Sequence, residues 1–289
     1  MNKFVIGIGS QRAGSTLLHR VLEQCTPIYM HPVKELHYFD TMFNVRNPSV
    51  LHKFAVSHLN KDIDRIIKAK ELGFLNKRFK NSLRTNFLLS TRKVQHIDYL
   101  DLFRPCVQGS KLLGEITPEY MILPPEGIAK MRATVGDDAK ILLLARNPVK
   151  RFISAFKLLM YGLPDADNTL FEEEMVKLLN STNSEWLKVQ DALNDYETAL
   201  TGYQQEFKHV LILSYDNLFG DVEGTAEELS DFLQVPVSLP NYQKITGTKV
   251  NALDETKDLS DGTIELLKSR YVNNQSFLDK TFGKDACIA

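Results

Sequence analysis

Short apolar blocks alternate along the chain with longer stripes of helical period. Phe4–Ile8 is an apolar, β-branched run that ends at glycine, and Leu17, Leu18, Val21, Leu22 and Cys25 fall on one stripe of a helix that Pro27 stops. Ile28–Met30 is a second candidate strand, running into Pro32–Asp40. Residues 51–110 carry helical patterning and no clear strand. Pro124 and Pro125 open a short helix that closes near Gly136. Lys140–Ala145 is the continuous apolar run expected of a buried parallel strand. Asn147 then caps a helix that has Pro148 at its first position and runs to about Tyr161. One long helical region is expected from Leu170 to about Phe207, a strand at Val210–Leu213 and a helix at Thr225–Leu233. Ser260 caps a last helix from Asp261 towards Gly283. Strand, glycine-rich turn and helix in that order open an α/β fold with a parallel, P-loop-like sheet flanked by helices. No repeat or linker divides the chain, so residues 1–289 are expected to form a single domain.

Composition narrows the classes that remain. A hydrophobic fraction of 43% with 25% charged residues supports a packed core and excludes a disordered chain. A net charge of −1 excludes a polycation, so nucleic acid is not an expected partner. No apolar run approaches the ~20 residues of a membrane helix, and the N-terminus lacks a signal peptide's apolar region. Cys25, Cys106 and Cys287 are scattered and form no CxxC pair, which fits the reduced thiols of a cytoplasmic protein. The near-zero total hides segregation: Lys61–Lys93 holds ten Lys/Arg against three Asp/Glu, whereas Asp165–Glu197 holds two against nine. The basic stretch is either a solvated helical face or a wall that attracts an anion.

The chemistry is concentrated in Gly9-Ser10-Gln11-Arg12-Ala13-Gly14-Ser15-Thr16. Its spacing is that of a phosphate-binding P-loop at all but one place, because Ser15 stands where the lysine belongs and the cation has moved to Arg12. Backbone N–H groups and a helix N-terminus can still cradle an anion. The strand Ile141–Ala145 ends in Arg146, where a magnesium-dependent nucleotidase would carry an aspartate. An arginine there repels a metal ion but grips a phosphate with two parallel bonds. Ser154, in the second turn of the next helix, can reach the same anion. Two anion sites without a metal carboxylate are therefore expected, and no metal. A P-loop kinase or NTPase and a non-catalytic nucleotide-binding module remain as alternatives. The seven histidines form no HExxH or HxH pattern that would suit a zinc hydrolase.

Gly9–Leu17 resembles the 5′-phosphosulfate loop of sulfotransferases that use 3′-phosphoadenosine 5′-phosphosulfate (PAPS), and Leu144–Phe156 is similar to their 3′-phosphate motif. Gly114-Glu-Ile-Thr-Pro-Glu-Tyr120 resembles the family's Glu-Lys-Thr-Pro-x-Tyr strand and turn, and the helix from Leu259 to Gly283 has the family's look. Glu35-Leu36-His37-Tyr38-Phe39-Asp40 is similar to the Glu-x-His-Phe-Phe-Asp segment of heparan-type glucosaminyl 3-O-sulfotransferases. The likeness covers nearly the whole chain except about residues 42–100; about residues 42–110 are expected to be a mostly helical, substrate-facing insertion. What it implies is sulfuryl transfer from PAPS, leaving PAP, to a hydroxyl of a carbohydrate or small-molecule alcohol. Arg12, Ala13, Gly14, Ser15, Thr16, Arg146 and Ser154 would bind the nucleotide, with Arg12 also catalytic. Glu35 would be the base, His37 would orient or share the proton, and Asp40 would complete the acceptor-side set. Two departures stand out. The family's Glu-Lys-Thr-Pro lysine is Ile116, so one cation near the sulfuryl group is missing, and the family's late nucleotide-covering loop has its nearest counterpart at Gly247-Thr248-Lys249, which makes Lys249 a further nucleotide candidate. Golgi members carry a membrane anchor and a C-terminal disulfide, and neither is expected here.

Overall fold

The structure, a computed structural model, describes residues 3–104, 112–161, 170–181, 183–247 and 259–283. Five strands, β1 (Lys3–Gly9), β2 (Tyr29–Met30), β3 (Leu112–Ile116), β4 (Lys140–Ala145) and β5 (His209–Ser214), form one sheet of order β2-β3-β1-β4-β5. Every pairing is parallel, with Ile6 opposite Glu115 on one side and Ile141 on the other. The expected α/β fold is thus present. β1 and β4 are interior strands, which is why they read as near-continuous apolar runs and not as alternating ones.

The sheet divides two cores. On one face α1 (Ser15–Cys25), with α12 (Val222–Leu233) and α13 (Leu239–Thr246), buries Leu17, Leu18, Val21 and Leu22 against Val5, Leu142 and Leu144. On the other, α6 (Pro125–Val135) and α10 (Tyr196–Glu206) cover Ile6, Ile141 and Leu143. Cutting a fully buried leucine such as Leu143 to alanine would cost about 2–5 kcal/mol. A third, smaller cluster joins α7 (Pro148–Tyr161) to α8 (Phe171–Leu179) through Phe152, Phe156 and Met175. Asn147 does cap α7, its Oδ1 accepting from the Lys150 N–H at 3.0 Å.

Three expectations differ in detail, and two short helices were not expected. The helical region after Leu170 is three helices, because Ser184 caps α9 (Glu185–Ala192) and Asp195 caps α10, and each cap starts a new axis. The last helix is broken at Tyr271 into α14 (Asp261–Arg270) and α15 (Val272–Phe282); the Tyr271 ring is buried and its hydroxyl donates to Asp191. α11 (Tyr215–Gly220) and α13 are too short to show a helical period in sequence. β2 is only two residues long, and Glu35 lies in the loop after it.

Between β2 and β3 the described residues form α2 (Tyr38–Met42), a hairpin of α3 (Pro48–Lys68) and α4 (Lys77–Thr91), and α5 (Tyr99–Phe103). α3 buries only Leu51 and Ala55 and stands out from the body. Arg65 stacks over Phe74 and Phe79 at 4.4 and 5.5 Å and closes the hairpin. Arg78 ties it to the sheet by donating to the Met30 carbonyl at 2.7 Å and pairing with Glu23. His31, fully buried, meets Leu102 O at 3.1 Å, Asn81 at 3.2 Å and Thr85 at 3.3 Å. Burial lowers its pKa to about 4, so a neutral ring locks α4 and α5 onto the segment that leads to Glu35.

Candidate active site

The phosphate loop leaves the C-terminal end of β1, at the point where the sheet order reverses, the usual place for a ligand in an open α/β sheet. Two glycines shape it. Gly9 has φ +146°, and a Cβ there would lie 2.6 Å from the Pro118 carbonyl; Gly14 has φ +92°, with Leu218 and Tyr215 3.1 and 3.3 Å from a Cβ. Gly14 opens α1 without a side-chain cap, so the first N–H groups of that helix face outwards with their partial positive charge. Ala13 and Ser15 are buried beneath the loop, and Thr16 is half-buried.

The structure brings Arg12, Arg146 and Ser154 together. The Arg12 Nε donates to Ser154 Oγ at 2.9 Å, and an Arg146 Nη donates to the Arg12 carbonyl at 2.9 Å. Burial, and then the charge of Arg146, lower the pKa of Arg12. Neither arginine pairs with a carboxylate among the described residues, and the Arg146 Nε is buried with no acceptor. Sequence reasoning missed Tyr215, over whose ring the Arg146 guanidinium lies at 4.2 Å. The available signal was its place as the first residue after β5, level with the end of β4.

The second half of the site is the Glu35–Asp40 segment. His37 Nδ1 meets Asp40 Oδ2 at 2.6 Å, its Nε2 lies 3.7 Å from Glu35 Oε2, and Glu119 Oε2 lies 3.8 Å from Nδ1. Asp40 is fully buried, His37 nearly so, and the Glu35 side chain is 34% exposed. Burial alone would raise the Glu35 pKa, but the facing His37 ring and the Lys34 ammonium outweigh it and bring the carboxyl down to about 2. Burial alone would lower that of His37, but Asp40 first, then Glu35 and Glu119, raise it to about 9. At neutral pH the segment therefore presents a carboxylate backed by an imidazolium. Arg12, Glu35 and His37 all have left-handed backbones, φ +68°, +64° and +49°. Each costs roughly 1–2 kcal/mol in a non-glycine residue, and such strain gathers at functional sites.

The Gly114–Tyr120 stretch is the scaffold for this segment. Glu115, 1% exposed, accepts from Tyr99 and Thr117 at 2.8 Å and from Tyr120 at 3.0 Å, and burial raises its pKa to about 7. The Tyr120 oxygen in turn accepts from the Tyr38 N–H at 3.1 Å, and Thr117 Oγ1 from the His37 N–H at 3.4 Å. Ile116 points into the opposite core over Gly7, so position 116 presents nothing to the site. Glu119, Gln11, Lys34 and Arg46 were also missed. Glu119 Oε1 accepts from Gln11 Nε2 at 3.3 Å and lies 3.6 Å from Arg46. Glu35, His37 and Glu119 each offer a ligand atom within 4.8 Å of the others, but Lys34 and Arg46 already face the two carboxylates and oppose a metal ion. Lys249 lies outside the described residues.

Among the described residues no helix is long and apolar enough to cross a membrane. No curated protein matches the sequence. Among solved structures, a sulfotransferase from Alicyclobacillus acidocaldarius is similar at 20% identity and TM-score 0.57, covering 99% of this chain and 97% of its own. Sulfotransferase STF9 from Mycobacterium avium is similar at 15% identity and TM-score 0.50, covering 97% and 77%. At these identities the likeness establishes the fold. Residues 4–239, from the first strand to the start of α13, match the profile of the sulfotransferase family, and the chain belongs to that family.

Proposed function

We propose that the protein transfers a sulfuryl group from PAPS to a hydroxyl of a carbohydrate or small-molecule acceptor, with Glu35 as the base. The observation that carries this reading is the pair of arginines, Arg12 and Arg146, held together without a carboxylate, one with a buried Nε that lacks an acceptor. Such a pair suits a nucleotide with anionic groups at both its 5′ and 3′ positions. It does not suit a magnesium nucleotide, whose metal would meet Arg146 where a carboxylate is needed. Ser154 shares the 3′-phosphate with Arg146. Arg12 and the N–H groups of Ala13, Gly14, Ser15 and Thr16 take the charge that builds on the 5′-phosphate as the sulfur–oxygen bond breaks; donors of this kind are worth about 3–4 kcal/mol each. The acceptor oxygen attacks sulfur in line, its proton passes to Glu35, and PAP leaves with the bond pair. An acceptor that displaces Lys34 from Glu35 removes one of the cations that depress the carboxylate and so raises its basicity. His37, charged, keeps Glu35 oriented, and Asp40 keeps His37 in place.

Thermal denaturation without magnesium tests the nucleotide. PAP at a hundred times its Kd adds about 2.7 kcal/mol and should raise Tm by ~4 °C. Adenosine 5′-phosphosulfate, which lacks the 3′-phosphate, should do much less. Equal stabilisation by both, or a preference for magnesium ATP, would remove the roles given to Arg146 and Ser154.

A further inference from the structure

Arg46 lies between α2 and α3, with its backbone N–H on the Asp40 carbonyl at 3.1 Å. The Val45 N–H bonds the same oxygen at 2.8 Å, so this segment is pinned to the residue that holds His37. The Arg46 side chain is only 19% exposed. Its guanidinium lies 5.6 Å from the centre of the Phe54 ring and 3.6 Å from Glu119, beyond hydrogen-bond distance. Its Nε is buried with no acceptor, and no described residue takes a hydrogen bond from the side chain. Guanidinium carries five donors in a rigid fork, and a buried donor left without an acceptor is unfavourable.

Glu119 does not fill the need. Its Oε1 accepts from Gln11, and its Oε2 is turned towards His37, buried and without a hydrogen bond of its own. Arg46 is nevertheless close to the chemistry: contacts of 3.6, 3.8 and 3.7 Å lead from it through Glu119 and His37 to Glu35. It stands at the foot of the basic hairpin, beside the half-exposed Phe54 ring.

We propose that Arg46 is an acceptor-binding residue that receives a carboxylate, so that the acceptor is a hydroxy acid. The inference rests on the sulfuryl-transfer reading and adds the substrate class. The planar fork matches a carboxylate with two parallel bonds, and Phe54 offers an apolar surface to the body of the same molecule. Local positive charge on α3 and α4 steers such an anion inwards.

The test compares hydroxy acids with their methyl esters as acceptors of radiolabelled PAPS: 4-hydroxyphenylacetate, 3-hydroxybutyrate and a methyl glucuronide, each against its ester. With the wild-type protein, at least one acid should turn over with kcat/KM about ten- to a hundredfold above its ester, the gain lying mainly in KM. Arg46→Gln should bring that ratio towards one, and Arg46→Lys, which keeps charge and loses the fork, should fall between. The PAP-induced rise in Tm, measured on each variant, shows that the fold and nucleotide site survive. A wild-type ratio near one, a preference for the ester, a ratio retained in Arg46→Gln, or no acid turned over by protein that binds PAP overturns the proposal. Failure of the wild type to bind PAP overturns the sulfuryl-transfer reading instead, and this inference with it.

Discussion

Replacing Asp40 by asparagine keeps the shape of the side chain and an oxygen for the His37 N–H, and removes only the negative charge 2.6 Å from the imidazole. In the wild type His37 is raised from 6.5 to about 9. At ~1.4 kcal/mol per pH unit that corresponds to about 3 kcal/mol of folded-state stability, of which Asp40 supplies the largest favourable share. The sign follows from the direction of the shift. A raised folded-state pKa stabilises fully below 6.5, where the ring is charged in both states, and the contribution is lost as pH rises through about 9. Asp40→Asn should therefore be less stable than wild type by about 2 kcal/mol at pH 6, and the two curves should converge near pH 9.5. Urea denaturation at half-unit steps from pH 6 to 10 measures the gap, and histidine NMR follows the ring directly. A gap that stays constant across the range would mean a lost packing contact and no titration. A wild-type His37 that titrates near 6.5 would refute the imidazolium itself.

Glu35→Gln should lower the single-turnover rate by about 10²–10⁴-fold with PAP affinity unchanged; retention of more than about a third of the rate would take the base role away from Glu35. Arg12→Ala should reduce the single-turnover rate more than it weakens PAP binding, and Arg12→Lys should keep part of it; an effect on Kd alone would make Arg12 a clamp. Lys77→Glu with Lys80→Glu should raise acceptor KM, and KM should rise with ionic strength as the Debye length falls from ~10 Å at 0.1 M to ~3 Å at 1 M. Arg78 is left out because it already serves Glu23 and Met30, and a KM indifferent to salt and charge reversal would make the hairpin a solvated face.

Much of the framework was legible because its signals are local. β1, β4 and β5 appear as apolar runs, and the stripe on α1 is the stripe that is buried. The loop, Arg146 and Ser154 could be placed by spacing from strand ends, since the sheet brings those ends together. Helix breaks were harder, because Ser184 and Asp195 start new helices inside a region of sustained helical pattern. The surroundings of Glu35 were not legible at all. Glu119 reaches His37 only because the tight turn at Pro118–Ile122 folds under the Glu35 segment, and Arg46 reaches Glu119 only through the bonds on Asp40. No spacing in the sequence encodes contacts made across three separate segments. The same holds for Arg78: by charge it belongs with the exposed lysines, and only the structure shows that its partners lie beneath the hairpin.

The pairing of Arg12 with Arg146 also bears on the rhythm of turnover. Two like charges, one of them with its pKa lowered by burial and then by its neighbour, are kept side by side by the loop and by Ser154. Their repulsion is a standing strain, and under the proposed function a spent nucleotide lying between them would relieve it in addition to making its own bonds. That relief must be undone before the remnant can depart. Under that reading the site should capture its donor readily and shed what is left slowly, and the expected outcome is a fast first round, then a slower steady state that added salt quickens.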